Sequence, residues 1–327
     1  MNNFVKYSLE RGGAIKPLVI PSKSTNGTGL FNPSIFVDGD KIFVNIRHCQ
    51  YTLYHSETNK YEHQWGPLLY LNPENDMTLT TTNYFCFLND ELDIVRIHPI
   101  DTSALDKKPL WEFVGLEDCR IVKWDGKYYV TGVRRDLDNI GTGRMELSEI
   151  EITDDYVKEI SRYRIPSTGE NKSYCEKNWM PILDKPYHYV KWSNPTEVVE
   201  VDINKNTCET RYLENDRKFP HDPRGGSQVI SYKDGYMALT HITYLYKSNA
   251  GRKNATYRHQ FVIWDKEWNV VKTSNIFDFM GAKIEFSCGL SKYHDDYLKK
   301  SRKIIKKYFW NNSKNIKKYA DLLDNVL

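Results

Sequence analysis

Five times along this chain a short polar tip runs into a hydrophobic strand, and that recurrence restricts the fold more than any other feature. The five stretches are NPSIFVDGDKIFVNIR from Asn32, EDCRIVKWDGKYYVTGVR from Glu117, KNWMPILDKPYHYVKW from Lys177, GGSQVISYKDGYMALTHI from Gly225 and EFSCGLSKYHDDYL from Glu285. Three of them carry Asp-Gly between apolar runs, at Asp38-Gly39, Asp125-Gly126 and Asp234-Gly235. These residues tolerate the positive φ angles that a tight hairpin turn imposes, so the dipeptide marks a hairpin. The tips recur roughly every 50 to 90 positions, the interval of propeller blades with loop insertions. The sequence therefore predicts an all-β, five-bladed β-propeller, each blade a small antiparallel sheet around a central funnel. A propeller gathers the same position of every blade at its axis, so the polar tips are the expected site.

Composition fits that fold. Of 327 residues 40% are hydrophobic, enough for a core, and the 13% aromatic share suits strands. A net charge of only +3 argues against nucleic acid as a partner. The stretch MNNFVKYSLERGG lacks an apolar core of signal-peptide length, and no run approaches a membrane span, which predicts a cytoplasmic protein. Six cysteines without CxxC spacing are then expected as reduced, buried thiols. The nine histidines form no HxH or HExxH group, so no metal is expected.

Residues 1–30 suggest a leading strand and a Ser/Thr/Gly loop. Segments 213–226 and 246–258 suggest exposed loops at the rim of the funnel, the second of them basic. The propeller is expected to end near residue 295. From 296 to 327 apolar residues fall at helical spacing (Leu298, Ile304, Ile305, Tyr308, Phe309, Ile316, Tyr319, Leu322, Leu323). Positions 299–318 hold nine basic residues and no acid. This predicts a C-terminal amphipathic basic helix, packed on the propeller, on a second copy in a homo-oligomer, or on an anionic surface.

The tips also hold the candidate chemistry. In an extended strand Asp118 and Arg120 share one face, with Glu117 and Cys119 on the other. An acid beside an arginine suits a proton donor in a partly closed site, or a structural pair tying blades together. Arg134, Arg135 and Arg144 come shortly after, and guanidinium forks match phosphate, or pair with Asp136, Asp138 and Glu146. Lys177, Asn178 and Trp179 join a cation, an amide and a large ring, a set compatible with sugar and phosphate. His241 ends the fourth repeat, as a ligand or as a satisfied core residue. The fifth tip offers Glu285 to a sugar.

Read together, NPSI…NIR, GLEDCRIV…DGKYYV, EKNWMPI, GGSQVI…THITY and IEFSCGL resemble the β-mannoside phosphorylases of glycoside hydrolase family 130. They are also similar to the β-1,2-mannosyltransferase/phosphorylases of glycosyltransferase family 108. The resemblance covers about residues 25–290 and implies an active site in the axial funnel of a five-bladed propeller. It implies Asp118 as proton donor of an inverting reaction in which phosphate attacks the anomeric carbon. It further implies phosphate ligands at Arg134 or Arg135, Arg144, Lys177 and His241, and sugar contacts at Asn32, Arg47 and Asn178. Cys119 departs from the family, which has proline after the acid, and the family's Tyr-Gly-Ala-Ala-Asp-like closing stretch is not visible after Leu290.

The resemblance thus implies a carbohydrate-active enzyme, a β-mannoside phosphorylase with inorganic phosphate as co-substrate and no cofactor. Its expected partner is a mannose-containing oligosaccharide or a sugar phosphate. The alternatives are a glycosyltransferase using a nucleotide sugar such as GDP-mannose, and a glycan-binding propeller without catalysis.

Overall fold

A computed structural model describes residues 2–24, 29–49, 51–52, 69–70, 78–169, 173–247, 249, 251 and 253–292. Its dominant unit is a four-stranded antiparallel sheet in which sequence neighbours pair, and this unit occurs four times. The first sheet comprises Gly29–Asp38, Lys41–Cys49, Leu79–Leu88 and Ile94–Asp101. The second comprises Glu117–Trp124, Lys127–Arg134, Arg144–Ile152 and Val157–Arg164. The third comprises Met180–Pro181, His188–Ser193, Thr196–Asp202 and Thr207–Leu213. The fourth comprises Ile230–Tyr232, Gly235–Lys247, Lys253–Trp264 and Val270–Thr273, with Arg224–Gly225 paired onto its second strand.

The sheets stand side by side, and apolar side chains fill the space between each pair. Phe36, Phe43 and Phe85 of the first sheet meet Cys119, Ile121 and Val130 of the second. Val122, Trp124 and Met145 of the second meet Tyr189, Val199 and Val201 of the third. Val190 and Val198 of the third meet Ala238, Val262 and Trp264 of the fourth. Buried indole N–H groups find partners across the same seams, as a buried polar atom requires. Trp124 Nε1 donates to the Ile182 carbonyl at 3.0 Å, and Trp264 Nε1 to Thr196 Oγ1 at 3.1 Å. The first two sheets are also stitched by parallel pairing of Ile100 with Val157.

The way back from the fourth sheet to the first runs through Gln228, which is fully buried. Its Nε2 donates to Ser34 Oγ, the Ile35 carbonyl and the Ile121 carbonyl, and its Oε1 accepts from the Leu290 amide. One amide thus joins three parts of a nearly closed ring. Glu285–Lys292 lies beside this junction: the Cys288 amide donates to the Pro33 carbonyl and Ser291 Oγ accepts from the Val37 amide. Among the described residues the fifth repeat forms no strand, and the predicted C-terminal helix lies outside them.

All three Asp-Gly pairs sit at hairpins, in three registers. Asp125-Gly126 forms its loop, with φ of 50° and 78°, between the paired Trp124 and Lys127. The first hairpin loops through Gly39-Asp40 instead, and the third through Lys233-Asp234, so Gly235 is already a strand residue. Gly235 is nevertheless required there, because an added Cβ would lie 2.0 Å from the Trp264 carbonyl oxygen.

Two segments depart from expectation. The basic stretch predicted as a loop over 246–258 is mostly strand, since pairing continues to Lys247 and resumes at Lys253. The N-terminus contains a helix, Phe4–Leu9, where a strand was expected. Phe4 explains its docking: its ring packs against Phe277 at 4.8 Å and against Phe279 at 5.8 Å. Of the six free cysteines four are buried as predicted, but Cys175 and Cys208 are half-buried.

Candidate active site

The site begins with two strand defects of the same kind. In the first sheet Phe31 pairs with Arg47 and Ser34 with Asn45, so Asn32 and Pro33 together oppose Ile46. In the second sheet Glu117 pairs with Val133 and Arg120 with Thr131, so Asp118 and Cys119 together oppose Gly132. Each is a bulge with one residue too many, the device that turns a side chain out of the strand's alternation. Asn32 and Asp118 take left-handed backbone at φ of 51° and 54°, and Asn178 at the third tip does the same at 62°. Asn and Asp are the non-glycine residues that tolerate this region best. Three of the predicted tip residues thus adopt the same unusual conformation in three successive repeats. Gly132 makes room for the second bulge, because a Cβ there would approach the Glu117 carbonyl oxygen to 2.3 Å.

The bulge corrects the predicted alternation. Glu117 and Asp118 do not point apart; both reach Arg47. Arg47 Nη1 donates to Asp118 Oδ1 at 2.8 Å and Nη2 lies 3.3 Å from Glu117 Oε2. The same guanidinium donates from Nε to Thr81 Oγ1 and from Nη2 to the Tyr51 hydroxyl, each at 3.2 Å. Asn32 Nδ2 donates to Asp118 Oδ1 at 2.6 Å. Burial alone would raise the Asp118 carboxyl, but Arg47 and then the Asn32 hydrogen bond outweigh it and bring it down to about 2. Asp118 is therefore an ionised carboxylate in the free protein. Because its folded pKa lies below the unfolded value, its contribution to stability is present above about pH 4 and is lost as pH falls toward 2.

Arg120 ties sheets together, as the structural alternative had it, but not through the predicted pair with Asp118. It is 1% exposed and makes no ion pair with the Asp118 carboxylate. Instead Nη1 donates to the Asp118 carbonyl at 2.5 Å, Nε to the Gly226 carbonyl at 2.8 Å, and Nη2 to Asn178 Oδ1 and the Gly225 carbonyl at 3.5 Å. It clamps the tips of the second, third and fourth sheets. Arg120→Met should cost about 3 kcal/mol in urea unfolding, because several buried carbonyls lose their donor. A loss below about 1 kcal/mol would contradict the clamp.

The predicted cations separate into two groups. Arg134 is buried and bonded from Nε to Glu146 Oε2 at 2.7 Å, with Asp136 at 3.4 Å and Arg164 on the other oxygen of Glu146. It belongs to an internal ion network, which corrects its assignment as a phosphate ligand. Arg135 lies between the Phe113 and Tyr174 rings and bonds the Gly141 carbonyl and the Tyr174 hydroxyl. Arg144 bonds only the Gly143 and Ser173 carbonyls among described residues. Lys177 and Arg224 are exposed, and no carboxylate pairs with either among the described residues. Both act on His241, whose strand position pairs with Arg224. His241 is buried against Tyr257 and Phe286. Burial, followed by the charges of His259, Arg120, Lys177 and Arg224, lowers it to about 3, so it is neutral. Its Nδ1 donates to the Gly225 carbonyl at 3.0 Å, which leaves Nε2 as an acceptor.

Two further predictions are corrected. Trp179 is 1% exposed, donates to Glu176 Oε2 and packs in the core between the second and third sheets, so it offers no face to a sugar. Both carboxylate oxygens of Glu285 accept backbone amides, from Phe279 and from Met280 and Ala282, so it ties down a loop. Among the described residues no group of three or more His, Cys, Asp or Glu could hold a metal, and no helix is long and apolar enough to cross a membrane.

No family profile and no curated protein matches the sequence. Solved structures resemble its fold. A provisionally assigned glycoside hydrolase from Parabacteroides distasonis has a TM-score of 0.50 at 13% identity over 82% of each chain. Its likeness is one of fold. Similar solved structures include a member of glycoside hydrolase family 130, the mannoside phosphorylases, from work on hydrolases that target β-1,2-mannosidic linkages in Candida mannan. Its TM-score is 0.49 at 13% identity, covering 82% of this chain and 79% of that one. A β-1,2-mannobiose phosphorylase from Listeria innocua, in complex with β-1,2-mannobiose, has a TM-score of 0.47 at 14% identity, covering 82% and 84%.

Sequence reasoning assigned no site role to Glu117, Thr81, Tyr51 or Gln228, and gave Arg224 only as a residue of the fourth tip. Glu117 and Arg224 stand at the polar tips and were legible as charges. Thr81, Tyr51 and Gln228 carry no local signal, because only the meeting of strands gives them partners.

Proposed function

We propose that this protein is an inverting β-mannoside phosphorylase with Asp118 as its proton donor, in a ring of five blades to which Glu285–Lys292 belongs. The observation that carries this reading is one bulge-borne carboxylate, held by Arg47 and Asn32, at a tip that Arg120 joins to Asn178 and Gly225, the chain neighbours of Lys177 and Arg224, which lack acid partners among the described residues. An acid and an anion site are the two parts phosphorolysis needs. Arg144, Lys177 and Arg224 supply charge for a phosphate dianion, and Arg135 a further fork. Neutral His241 accepts a hydrogen bond at Nε2 from a hydroxyl of the phosphate or sugar rather than adding charge.

Phosphate attacks the anomeric carbon and the bond from that carbon to the glycosidic oxygen breaks. The leaving oxygen takes a proton that originates on Asp118 and passes through a sugar hydroxyl. Asp118 ends as a carboxylate, the sugar as mannose 1-phosphate, and the aglycone as an alcohol. An acid held near 2 by Arg47 and Asn32 is ionised before substrate binds. Sugar hydroxyls that compete for these two donors, and the burial that the sugar brings, must raise it into working range.

Arg144→Ala tests the anion site. It is expected to raise the KM for phosphate at least about tenfold while the KM for the sugar changes less than about twofold. An equal loss in both would contradict the assignment.

A further inference from the structure

Asp118 is held by a guanidinium that it shares with a neighbour. Arg47 sends Nη1 to Asp118 and Nη2 toward Glu117, while Thr81 on Nε and Tyr51 on Nη2 fix the plane of the fork. Two carboxylates adjacent in sequence would normally point to opposite faces of a strand. Only the left-handed Asp118 and its bulge bring both to one arginine. While Nη1 stays on Oδ1 the guanidinium favours the carboxylate over the acid, and a carboxylate has no proton to donate.

We propose that Glu117 is a positioning residue for this reaction: it takes Arg47 over when substrate engages Asp118, and so allows the acid to carry its proton. The inference rests on the reading of Asp118 as proton donor. Of the charged groups around the pair, Arg47 is the one that already meets a second carboxylate. Facing Asp118 are Asn32 and Arg47 from the first sheet, Arg120 and Cys119 from its own strand, and Cys288 from the segment beside it. Arg120 is fixed on three backbone carbonyls. Burial pushes both thiols up, so they stay neutral. Around Arg47 stand Glu117, Asp118, Cys49, Tyr51 and Thr81, and burial likewise keeps the Tyr51 hydroxyl neutral. Glu117 is the carboxylate among them, besides Asp118, that can receive the guanidinium.

The test is the pH dependence of kcat for phosphorolysis by the full chain. Activity falls as pH rises through the pKa of the acid in the complex, so the alkaline limb reports on Asp118. Glu117→Gln leaves Arg47 with Asp118 as its one carboxylate partner. The alkaline limb should move down by about one pH unit and kcat above it should drop about tenfold, with the KM for sugar within about twofold. Glu117→Asp, which keeps the carboxylate, should restore most of the wild-type profile. In an Arg47→Lys background, where a point charge replaces the fork, Glu117→Gln should add little. Thermal melting of each variant separates loss of fold from loss of proton. An unmoved limb in active Glu117→Gln, or the same shift with and without the Arg47 fork, overturns the inference and leaves the reading of Asp118 standing. Wild-type protein without phosphorolysis, or full activity in Asp118→Asn, overturns that reading and the inference with it.

Discussion

Asp118→Asn is expected to fold as the parent chain does and to lose about a thousandfold or more in turnover. The amide keeps an oxygen where Asn32 and Arg47 converge on Oδ1, so the bulge retains both of its donors. The loss is that of the group that takes up and releases a proton, and removing a general acid costs typically about 10²- to 10⁴-fold. The measurement is phosphorolysis rate alongside thermal melting. A variant that melts with the wild type and turns over within about tenfold of it would remove Asp118 from the chemistry.

The second large effect is expected at Gly225, and it falls on the fold. Gly225 is buried where the strand leading into the fourth sheet crosses the tip of the third. An added Cβ would lie 1.8 Å from the Asn178 carbonyl oxygen and 2.8 Å from Met180 Cγ. The first of these is backbone and has no rotamer to yield, so the two tips must part. The Gly225 carbonyl also accepts from His241 and Arg120, and both would lose their geometry. Gly225→Ala should cost about 3 kcal/mol in urea unfolding, at the upper end for overpacking a well-filled interior. A loss under about 1 kcal/mol would mean that the tips are not in contact as described.

Much of this architecture could be read before any coordinates. Alternating apolar runs with Asp-Gly between them placed the hairpins, because the turn residues and the period-two pattern act within a few positions of one another. The register of two of the three turns was off by one, since Gly39 and Gly235 serve different backbone needs than the dipeptide alone indicates. The tips were also legible as polar groups at equivalent places, and Asn32, Asp118 and Asn178 do share their left-handed backbone.

The features that stayed hidden depend on partners far away in sequence. Arg134 and Arg144 look alike as strand residues beside one another, but Glu146 and Asp136 neutralise the first and no acid among the described residues meets the second. Trp179 looks like a sugar platform until the second sheet is packed over it. The alternation rule misplaced Glu117 because a single extra residue opposite Gly132 resets it, and a bulge leaves no local mark in composition. Gln228 gives no warning that its one amide will join the first, second and fourth sheets.

The most direct test of the account is to incubate the protein with mannose 1-phosphate and a panel of mannose and glucose acceptors and to measure released phosphate. Phosphate release that requires both an acceptor and Asp118 is the predicted result. No release with any acceptor, together with turnover of GDP-mannose, would contradict it and make the protein a nucleotide-sugar transferase.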